Sequence, residues 1–140
     1  MRVIAGEFRS RRLKSIPGDA TRPTPDRLRE TLFNILAPQI EGAAFLDAYA
    51  GTGAVGIEAL SRGAARAIFI EQNRAAAAVI RENLKALGIE SRAQVLQGKV
   101  SALLKKVQAD IVFLDPPYQL EREYSKVLAL LATSDHAGDE

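Results

Sequence analysis

The sequence predicts an α/β fold in which helices cover both faces of a parallel sheet. From residue 43 onward, short apolar runs alternate four times with helical patterns. Such alternation is typical of successive strand–helix units, whose strands lie parallel and are buried on both faces. A glycine-rich loop also joins the first apolar run to the first of these helices, as in many α/β folds.

The N-terminal part has a different pattern. Residues 2–5 and 12–15 predict two short strands that form a hairpin, and residues 16–25 predict a loop punctuated by proline and glycine. A helix is predicted over residues 25–36, with Pro38 ending it. Its apolar residues recur at helical spacing and are Leu28, Leu32, Ile35 and Leu36.

The alternating region predicts four strands and four helices. The predicted strands are residues 43–48, 67–71, 93–97 and 111–114, and the predicted helices are residues 54–62, 74–87, 100–107 and 122–131. We divide the chain into an N-terminal extension (1–40), a core (41–132) and a polar tail (133–140). Open sheets of this kind usually have more than four strands, so we expect that C-terminal strands are missing from this sequence.

Positive charge is concentrated at the N-terminus. Residues 1–29 contain eight cationic and three anionic side chains, whereas the whole chain has a net charge of only +2. This asymmetry favours a surface that binds nucleic acid phosphates, although a solvated surface hairpin has the same composition. The candidate RNA-binding residues are Arg9, Arg11, Arg12, Lys14, Arg22, Arg27 and Arg29. One of the two helical arginines, Arg27 or Arg29, could instead pair with an acidic neighbour.

Composition excludes several classes of site. The chain has no cysteine, which excludes disulfides and thiolate metal sites, and its one histidine, His136, lies in the polar tail. We therefore predict that the protein uses no metal. No apolar run is long enough to cross a bilayer, and cationic residues interrupt any signal-peptide core. We expect a cytoplasmic monomer that does not associate with membranes.

The glycine loop predicts a binding site for an adenosine-containing cofactor. Gly51, Gly53 and Gly56 fit G-x-G-x-x-G between a strand and a helix, where glycines permit a tight turn and close approach of a ligand. Glu71 follows Gly51 by 20 positions, at the end of the next strand, where a carboxylate can bind ribose hydroxyls. These features alone leave NAD, S-adenosylmethionine and a turn without a ligand as alternatives.

The run Asp115-Pro116-Pro117-Tyr118 distinguishes between these cofactors. It follows the predicted strand 111–114, and its two prolines leave a stiff loop with unpaired carbonyl groups. A carboxylate and carbonyls can orient an exocyclic amine, and an aromatic ring can stack on a nucleobase. Hydride transfer needs no such clamp, so the run favours methylation of a base amine. A rigid turn with a surface tyrosine is the alternative interpretation.

These motifs resemble class I S-adenosylmethionine-dependent methyltransferases that modify exocyclic amines. The similarity narrows to the bacterial 16S ribosomal RNA guanine-N2 methyltransferase family and extends over residues 2–131. The motifs that carry this narrower resemblance are residues 2–6, 21–24, 26–30 and 32–36. The resemblance implies a Rossmann-like sheet, S-adenosylmethionine as cofactor, and 16S ribosomal RNA or a small-subunit particle as partner.

The resemblance also implies roles for individual residues. The residues implied to hold the methionine end of the cofactor are Asp47, Gly51 and Gly53, and Ala50 is also a candidate cofactor-binding residue. Those implied to bind its ribose and adenine are Glu71, Gln97 and Gly98. The implied catalytic clamp is Asp115, Pro116, Pro117 and Tyr118. Two alternatives remain: a DNA adenine-N6 or cytosine-N4 methyltransferase, since the same clamp suits any exocyclic amine, and a non-catalytic RNA-binding module.

Overall fold

The computed structural model describes residues 1–16 and 24–115 of the 140-residue chain. Its four parallel strands are β1 (Ala44–Ala48), β2 (Arg66–Glu71), β3 (Ala93–Gln97) and β4 (Ile111–Leu114). The helices are α1 (Asp26–Ile40), α2 (Ala54–Ser61), α3 (Arg74–Leu87) and α4 (Val100–Leu103). The strand order across the sheet is β3-β2-β1-β4, so β4 lies on the opposite side of β1 from the other two.

Apolar side chains pack on both faces of this sheet. Phe45 and Phe69 belong to a large buried cluster that includes residues of α1, α2 and α3. Leu46 and Ile68 alternate with them along the strands and belong to a smaller cluster with residues of α4. The central strands β1 and β2 are therefore buried on both sides, as predicted from their continuous apolar sequences.

The strand–helix alternation agrees with the sequence to within a residue or two at most boundaries. Helix α3 begins after Asn73, whose side chain accepts a hydrogen bond from the Ala76 N–H at 2.9 Å. It ends at Gly88, which has a φ of 72°. The predicted helix over residues 100–107 is a short α4 followed by a 3₁₀ turn at Leu104–Lys106. The predicted helix at residues 122–131 and the tail lie outside the described residues.

The prediction that Pro38 ends the first helix is wrong. Helix α1 continues through Pro38 to Ile40. Pro38 cannot donate the N–H of a regular helical turn, but Ile40 is only 2% exposed and packs in the core. We attribute the last turn to this packing, which offsets the missing hydrogen bond.

The N-terminal arm, which we define as residues 1–16, forms a shorter hairpin than predicted. Its strands are reduced to one antiparallel bridge between Arg2 and Arg12. The reason is that side chains elsewhere in the fold bind the backbone N–H groups that longer strands would use. The Glu58 carboxylate accepts from Ile4 and Ala5 at 2.9 and 3.1 Å.

Within residues 1–16 and 24–115, no helix has the length and apolar composition needed to cross a membrane.

Candidate functional site

The strand order creates a crevice at the carboxyl edge of the sheet. From β1 the chain proceeds outward to β2 and β3, then returns to place β4 on the other side of β1. Ligands of open α/β sheets bind where the strand order reverses in this way, beyond the carboxyl ends of the strands. Ala48 and Leu114 are paired at these ends of β1 and β4. The residues that follow them therefore face one crevice.

The crevice contains several residues that the sequence predicted. Those that line it are Asp47, Ala50, Gly51 and Asp115. Asp115 is exposed and immediately follows β4, so the first residue of the predicted clamp lies beside the predicted cofactor loop. Pro116, Pro117 and Tyr118 lie outside the described residues, and their place in the clamp stays a prediction.

The glycine turn, which we define as residues 49–53, connects β1 to α2. Gly51 and Gly53 have φ values of 62° and 91°, in the left-handed region that favours glycine. Gly53 precedes α2, and a Cβ there would lie 3.2 Å from the Ile80 side chain. Gly53 therefore shapes the turn against the core and does not line the crevice, whereas Gly51 does.

The third glycine of the motif brings α2 close to the sheet. A Cβ on Gly56 would lie 2.3 Å from a ring carbon of Phe69, which leaves no room for a larger residue. This is the helix–strand contact for which the last glycine of such motifs is needed.

Glu71 binds the backbone of the glycine turn from the neighbouring strand. It ends β2, and its Oε1 accepts a hydrogen bond from the Gly51 N–H at 2.7 Å. Its Oε2 accepts from the Asn73 N–H at 2.7 Å. Burial raises the pKa of Glu71, whereas these backbone N–H groups act in the opposite direction. Each carboxylate oxygen has a second lone pair, which can accept from a hydroxyl group.

Asp47 connects the end of β1 to the beginning of α2, on the two sides of the glycine turn. It lies in β1 at 1% exposure, and its Oδ2 accepts from the Gly56 N–H in the first turn of α2 at 2.9 Å. Burial raises the pKa of Asp47 well above its ordinary value. The Gly56 hydrogen bond lowers it in part, and the nearby charges of Glu71 and Asp115 raise it further. The crevice is therefore a region of negative potential, which favours a cationic ligand.

Gln97 and Gly98 lie farther along the same edge of the sheet. Gln97 is paired with Glu71 across β2 and β3, and the Gly98 N–H donates to the Glu71 carbonyl at 3.0 Å. They are placed beside Glu71 but are not among the residues that line the crevice. Their predicted contact with adenine stays a prediction.

The crevice also includes residues to which the sequence analysis gave no role. They are Thr24, Tyr49, Thr52, Ala54, Val55 and Phe113. Thr24 belongs to the motif 21–24, but its sequence does not show that it lies beside the sheet. Tyr49 has a φ of 59°, a conformation uncommon outside glycine, asparagine and aspartate and frequent at ligand sites. In the described part of the chain, no group of three or more acidic or histidine side chains is placed to hold a metal ion.

The N-terminal arm is attached to α2 and α3 by hydrogen bonds to their side chains. The Ser61 hydroxyl accepts from the Phe8 N–H at 2.9 Å and donates to the Ala5 carbonyl at 2.7 Å. A Cβ on Gly6 would lie 2.0 Å from the Ser61 carbonyl oxygen, so the arm approaches α2 as closely as the backbone allows. The Asn83 side chain accepts from the Lys14 N–H at 2.8 Å.

Arg29 is not an RNA-binding residue, contrary to the sequence prediction. Its side chain is fully buried, where RNA cannot reach it. It donates to Asp26 Oδ1 at 2.6 Å and to the Arg2 carbonyl at 3.0 Å, and it lies 3.5 Å from Glu58 Oε1. A buried guanidinium needs such partners, and here they join the arm, α1 and α2.

The other described candidates for RNA binding are exposed. These are Arg9, Arg11, Arg12, Lys14 and Arg27. Lys14 pairs with Glu82 at 2.8 Å, and Arg11 donates to the Ala86 carbonyl at 3.2 Å, but both remain exposed. Arg22 lies outside the described residues. The arm therefore presents a group of accessible cations next to α3.

A family model described as conserved hypothetical protein 95 matches residues 1–139. Among curated proteins, "Putative rRNA methyltransferase YlbH" of Bacillus subtilis is 38% identical over 136 residues, covering 94% of this chain and 73% of that protein. "Ribosomal RNA small subunit methyltransferase D" of Escherichia coli K12 is 45% identical over 120 residues, covering 85% of this chain. The aligned part spans only 61% of that second relative.

Solved structures show the same fold. "Putative methyltransferase yhhF from Escherichia coli" has a TM-score of 0.86 and 40% identity, covering 100% of this chain and 76% of that one. The SAH-bound Podospora anserina methyltransferase PaMTH1 has a TM-score of 0.72 over 83% of this chain and 50% of that one. At 14% identity, it shows a likeness of fold alone. The predicted fold class, a Rossmann-like methyltransferase sheet, is confirmed.

Proposed function

The chain belongs to the conserved hypothetical protein 95 family and is similar to ribosomal RNA small-subunit methyltransferases. We propose that it methylates a guanine in 16S ribosomal RNA. The methyl group would come from S-adenosylmethionine, and the acceptor would be the exocyclic N2 of the base. The names of the relatives support the reaction and the class of RNA.

One structural observation carries this proposal. Asp115, the first residue of the amine clamp, lines the same crevice as Asp47 and Gly51 of the cofactor loop. They meet because β4 and β1 are neighbours in parallel register, so that their carboxyl ends coincide. A methyl donor and an acceptor amine can react only if the protein holds them side by side.

The described residues fit S-adenosylmethionine. When bound, this cofactor supplies an electrophilic methyl group. The negative charges of Glu71 and Asp115, which also act on Asp47, suit the positive charges of the cofactor. A lone pair of Glu71 that the backbone N–H groups leave free suits its ribose hydroxyls. The left-handed backbone of Gly51 lets main-chain groups approach the ligand without a Cβ in between. We assign Gln97 and Gly98 to the adenine side because they adjoin Glu71 at the edge of the sheet.

Asp115 and the residues after it would orient the acceptor. The lone pair of guanine N2 is delocalised into the ring, which makes the nitrogen a weak nucleophile. Asp115 and the Pro116 carbonyl would accept its two N–H bonds, so that the lone pair turns toward the methyl group as the nitrogen becomes pyramidal. Asp115 can then accept the proton that N2 loses as the new N–C bond forms. Positioning of this kind can supply roughly 7–11 kcal/mol of the barrier reduction.

Tyr118 and the N-terminal arm would hold the RNA. We assign Tyr118 to stacking on the everted base, which offsets part of the unstacking cost. The exposed cations of the arm would contact phosphates, and these contacts would be sensitive to salt.

The proposal is tested by a methyl-transfer assay with labelled S-adenosylmethionine. The substrates are 16S RNA, small-subunit particles and duplex DNA, and the modified nucleoside is identified by mass spectrometry. We expect N2-methylguanosine in RNA or particles and no label in DNA. Labelled adenine or cytosine in DNA would favour the DNA amine methyltransferase.

Binding of the cofactor separates the remaining alternatives. We expect S-adenosylhomocysteine to raise the melting temperature and NADH to leave it unchanged, because only a ligand of the native state stabilises it. RNA binding without any binding of S-adenosylhomocysteine would favour the non-catalytic RNA-binding module. Stabilisation by NADH alone would overturn the assignment of the crevice.

A further inference from the structure

Asn83 connects the N-terminal arm to the glycine turn through one side chain. We propose that Asn83 is a positioning residue that couples RNA binding at the arm to cofactor binding in the crevice. This inference rests on the proposed function, which assigns RNA to the arm and the cofactor to the glycine turn. It adds that each ligand strengthens the binding of the other, and it names the residue through which this happens.

The Asn83 side chain makes hydrogen bonds to the arm and to the glycine turn. Its Oδ1 accepts from the Lys14 N–H at 2.8 Å, and its Nδ2 donates to the Lys14 carbonyl at 3.2 Å. The same Nδ2 donates to the Thr52 carbonyl at 3.3 Å. Asn83 is only 3% exposed, and it lies in α3, between the arm and the turn. Both amide hydrogens and the amide oxygen therefore have partners inside the protein.

The two partners of Asn83 belong to the two proposed binding regions. Thr52 lies between Gly51 and Gly53 and lines the crevice. Lys14 follows Arg11 and Arg12 in the arm, and all three side chains are exposed. The buried side-chain amide of Asn83 therefore bonds to the glycine turn, which is proposed to bind the cofactor, and to the arm, which is proposed to bind RNA.

Such an arrangement couples the two regions physically. A buried amide group must keep its hydrogen bonds, so a shift of the Thr52 carbonyl requires Asn83, and with it Lys14, to follow. A ligand that orders the glycine turn also orders Asn83 and the end of the arm. The second ligand then binds to a segment that is already ordered, which produces positive cooperativity.

Among the described residues, the attachment of the arm at Ser61 does not extend to the crevice. Ser61 binds Ala5 and Phe8, and its hydrogen bonds reach no residue of the glycine turn. Ser61 therefore provides a matched control, since its loss loosens the arm on α2 without touching the connection to Thr52.

The test measures the affinity for S-adenosylhomocysteine with and without a saturating 16S RNA fragment. For the unmodified chain we expect the RNA to tighten this binding by about fivefold or more. Asn83→Ala should abolish the tightening. Asn83→Asp should do the same, because it keeps an acceptor for the Lys14 N–H but has no amide N–H for the carbonyls of Lys14 and Thr52. Ser61→Ala should retain it. The Asp variant keeps the test usable if Asn83→Ala does not fold.

Amide hydrogen exchange of the unmodified chain is a second measurement that needs no variant. We expect S-adenosylhomocysteine to slow exchange of the Lys14 N–H, which donates to Asn83. Equal exchange with and without the ligand, independent binding of the two ligands, or coupling that survives in both Asn83 variants would overturn the inference. Failure of the unmodified chain to bind either ligand would instead contradict the proposed function.

Discussion

The crevice and the N-terminal arm are held in place by contacts of very different sequence separation. In the crevice, Asp47 and Glu71 bind backbone N–H groups at most 20 residues away. In the arm, Glu58, Ser61 and Asn83 bind backbone groups 53 to 69 residues away. The glycine-turn side of the crevice is therefore a local product of its sequence motif, whereas Asp115 reaches the crevice through the pairing of β1 with β4. The arm has backbone hydrogen bonds of its own, such as that from the Val3 N–H to the Arg11 carbonyl. Its attachment to the fold depends on distant side chains.

The largest effect should come from removing the main acceptor of the arm. Glu58→Ala should lower the free energy of unfolding by about 3–5 kcal/mol, because the buried Arg29 loses a partner and two backbone N–H groups lose their acceptor. Urea unfolding followed by circular dichroism measures this change.

The control for this variant is an exposed ion pair in the same region. Glu82 pairs with Lys14, but the two side chains are 53% and 70% exposed, so Glu82→Ala should cost about 1 kcal/mol or less. Equal losses in the two variants would show that the buried contacts of Glu58 do not hold the arm.

The next effect concerns chemistry in the crevice. Asp115→Ala should lower the rate of methyl transfer by about 100-fold or more, because the amine loses the acceptor that orients it. Binding of S-adenosylhomocysteine, measured by calorimetry, should be nearly unchanged. Glu90→Ala removes an exposed carboxylate elsewhere and should leave both quantities unaltered. If Asp115→Ala weakened cofactor binding as much as catalysis, the residue would be structural.

A smaller effect should appear in the pH dependence of stability. The pKa of the Asp47 carboxyl is raised in the native state, whereas in the unfolded chain it has its ordinary value of 3.8. At a pH between these two pKa values, the native state keeps a proton that the unfolded chain has released. The contribution of Asp47 to stability is thus fully present below the ordinary value and is lost as the pH rises through the raised pKa. Asp47→Asn has no such loss, so its stability relative to the unmodified chain should increase with pH.

Unfolding curves of the two proteins over this pH range measure the difference. Glu71 titrates in both, so its own raised pKa does not account for a difference between them. Parallel pH profiles would mean that Asp47 does not titrate as its burial implies.

The smallest effect should come from a single exposed cation of the arm. Arg12→Ala should reduce the slope of log affinity for RNA against log salt by about 1, because one phosphate contact is lost. Lys105→Ala removes an exposed cation on the 3₁₀ turn after α4 and should leave the slope unaltered. An equal change in both variants would show that the arm is not the preferred phosphate-binding surface.

Features that depend on residues close together in the sequence could be predicted, whereas those that depend on distant residues could not. The bounds of α3, β3 and β4 follow from apolar patterning and from caps such as Asn73 and Gly88, which lie next to the elements that they limit. The positions of Asp47, Gly51 and Asp115 in one crevice follow from a general rule of parallel sheets. These inferences need no knowledge of distant contacts.

The errors involve residues whose partners lie far away in the sequence. For Arg29, the sequence left open a pairing with an acidic neighbour, and Asp26, three positions earlier, is such a partner. Its burial also involves Arg2 and Glu58, 27 and 29 positions away, and these contacts are not visible in the sequence. The hairpin strands were predicted too long because Ile4 and Ala5 donate to the same distant carboxylate. Thr24 and Tyr49 lie within sequence motifs, but those motifs give no role to their side chains, and only the folded chain brings them to the crevice.

Glu58, Ser61 and Asn83 bind main-chain groups of the arm, and the exposed Arg11 and Lys14 side chains add contacts with α3. The exposed Arg12 side chain is not needed for this attachment. For example, residue 12 can be substituted while the arm stays attached to α2 and α3. Substitutions at such exposed positions, whether natural or designed, can therefore change what the arm binds and leave the packing of α2 and α3 unchanged.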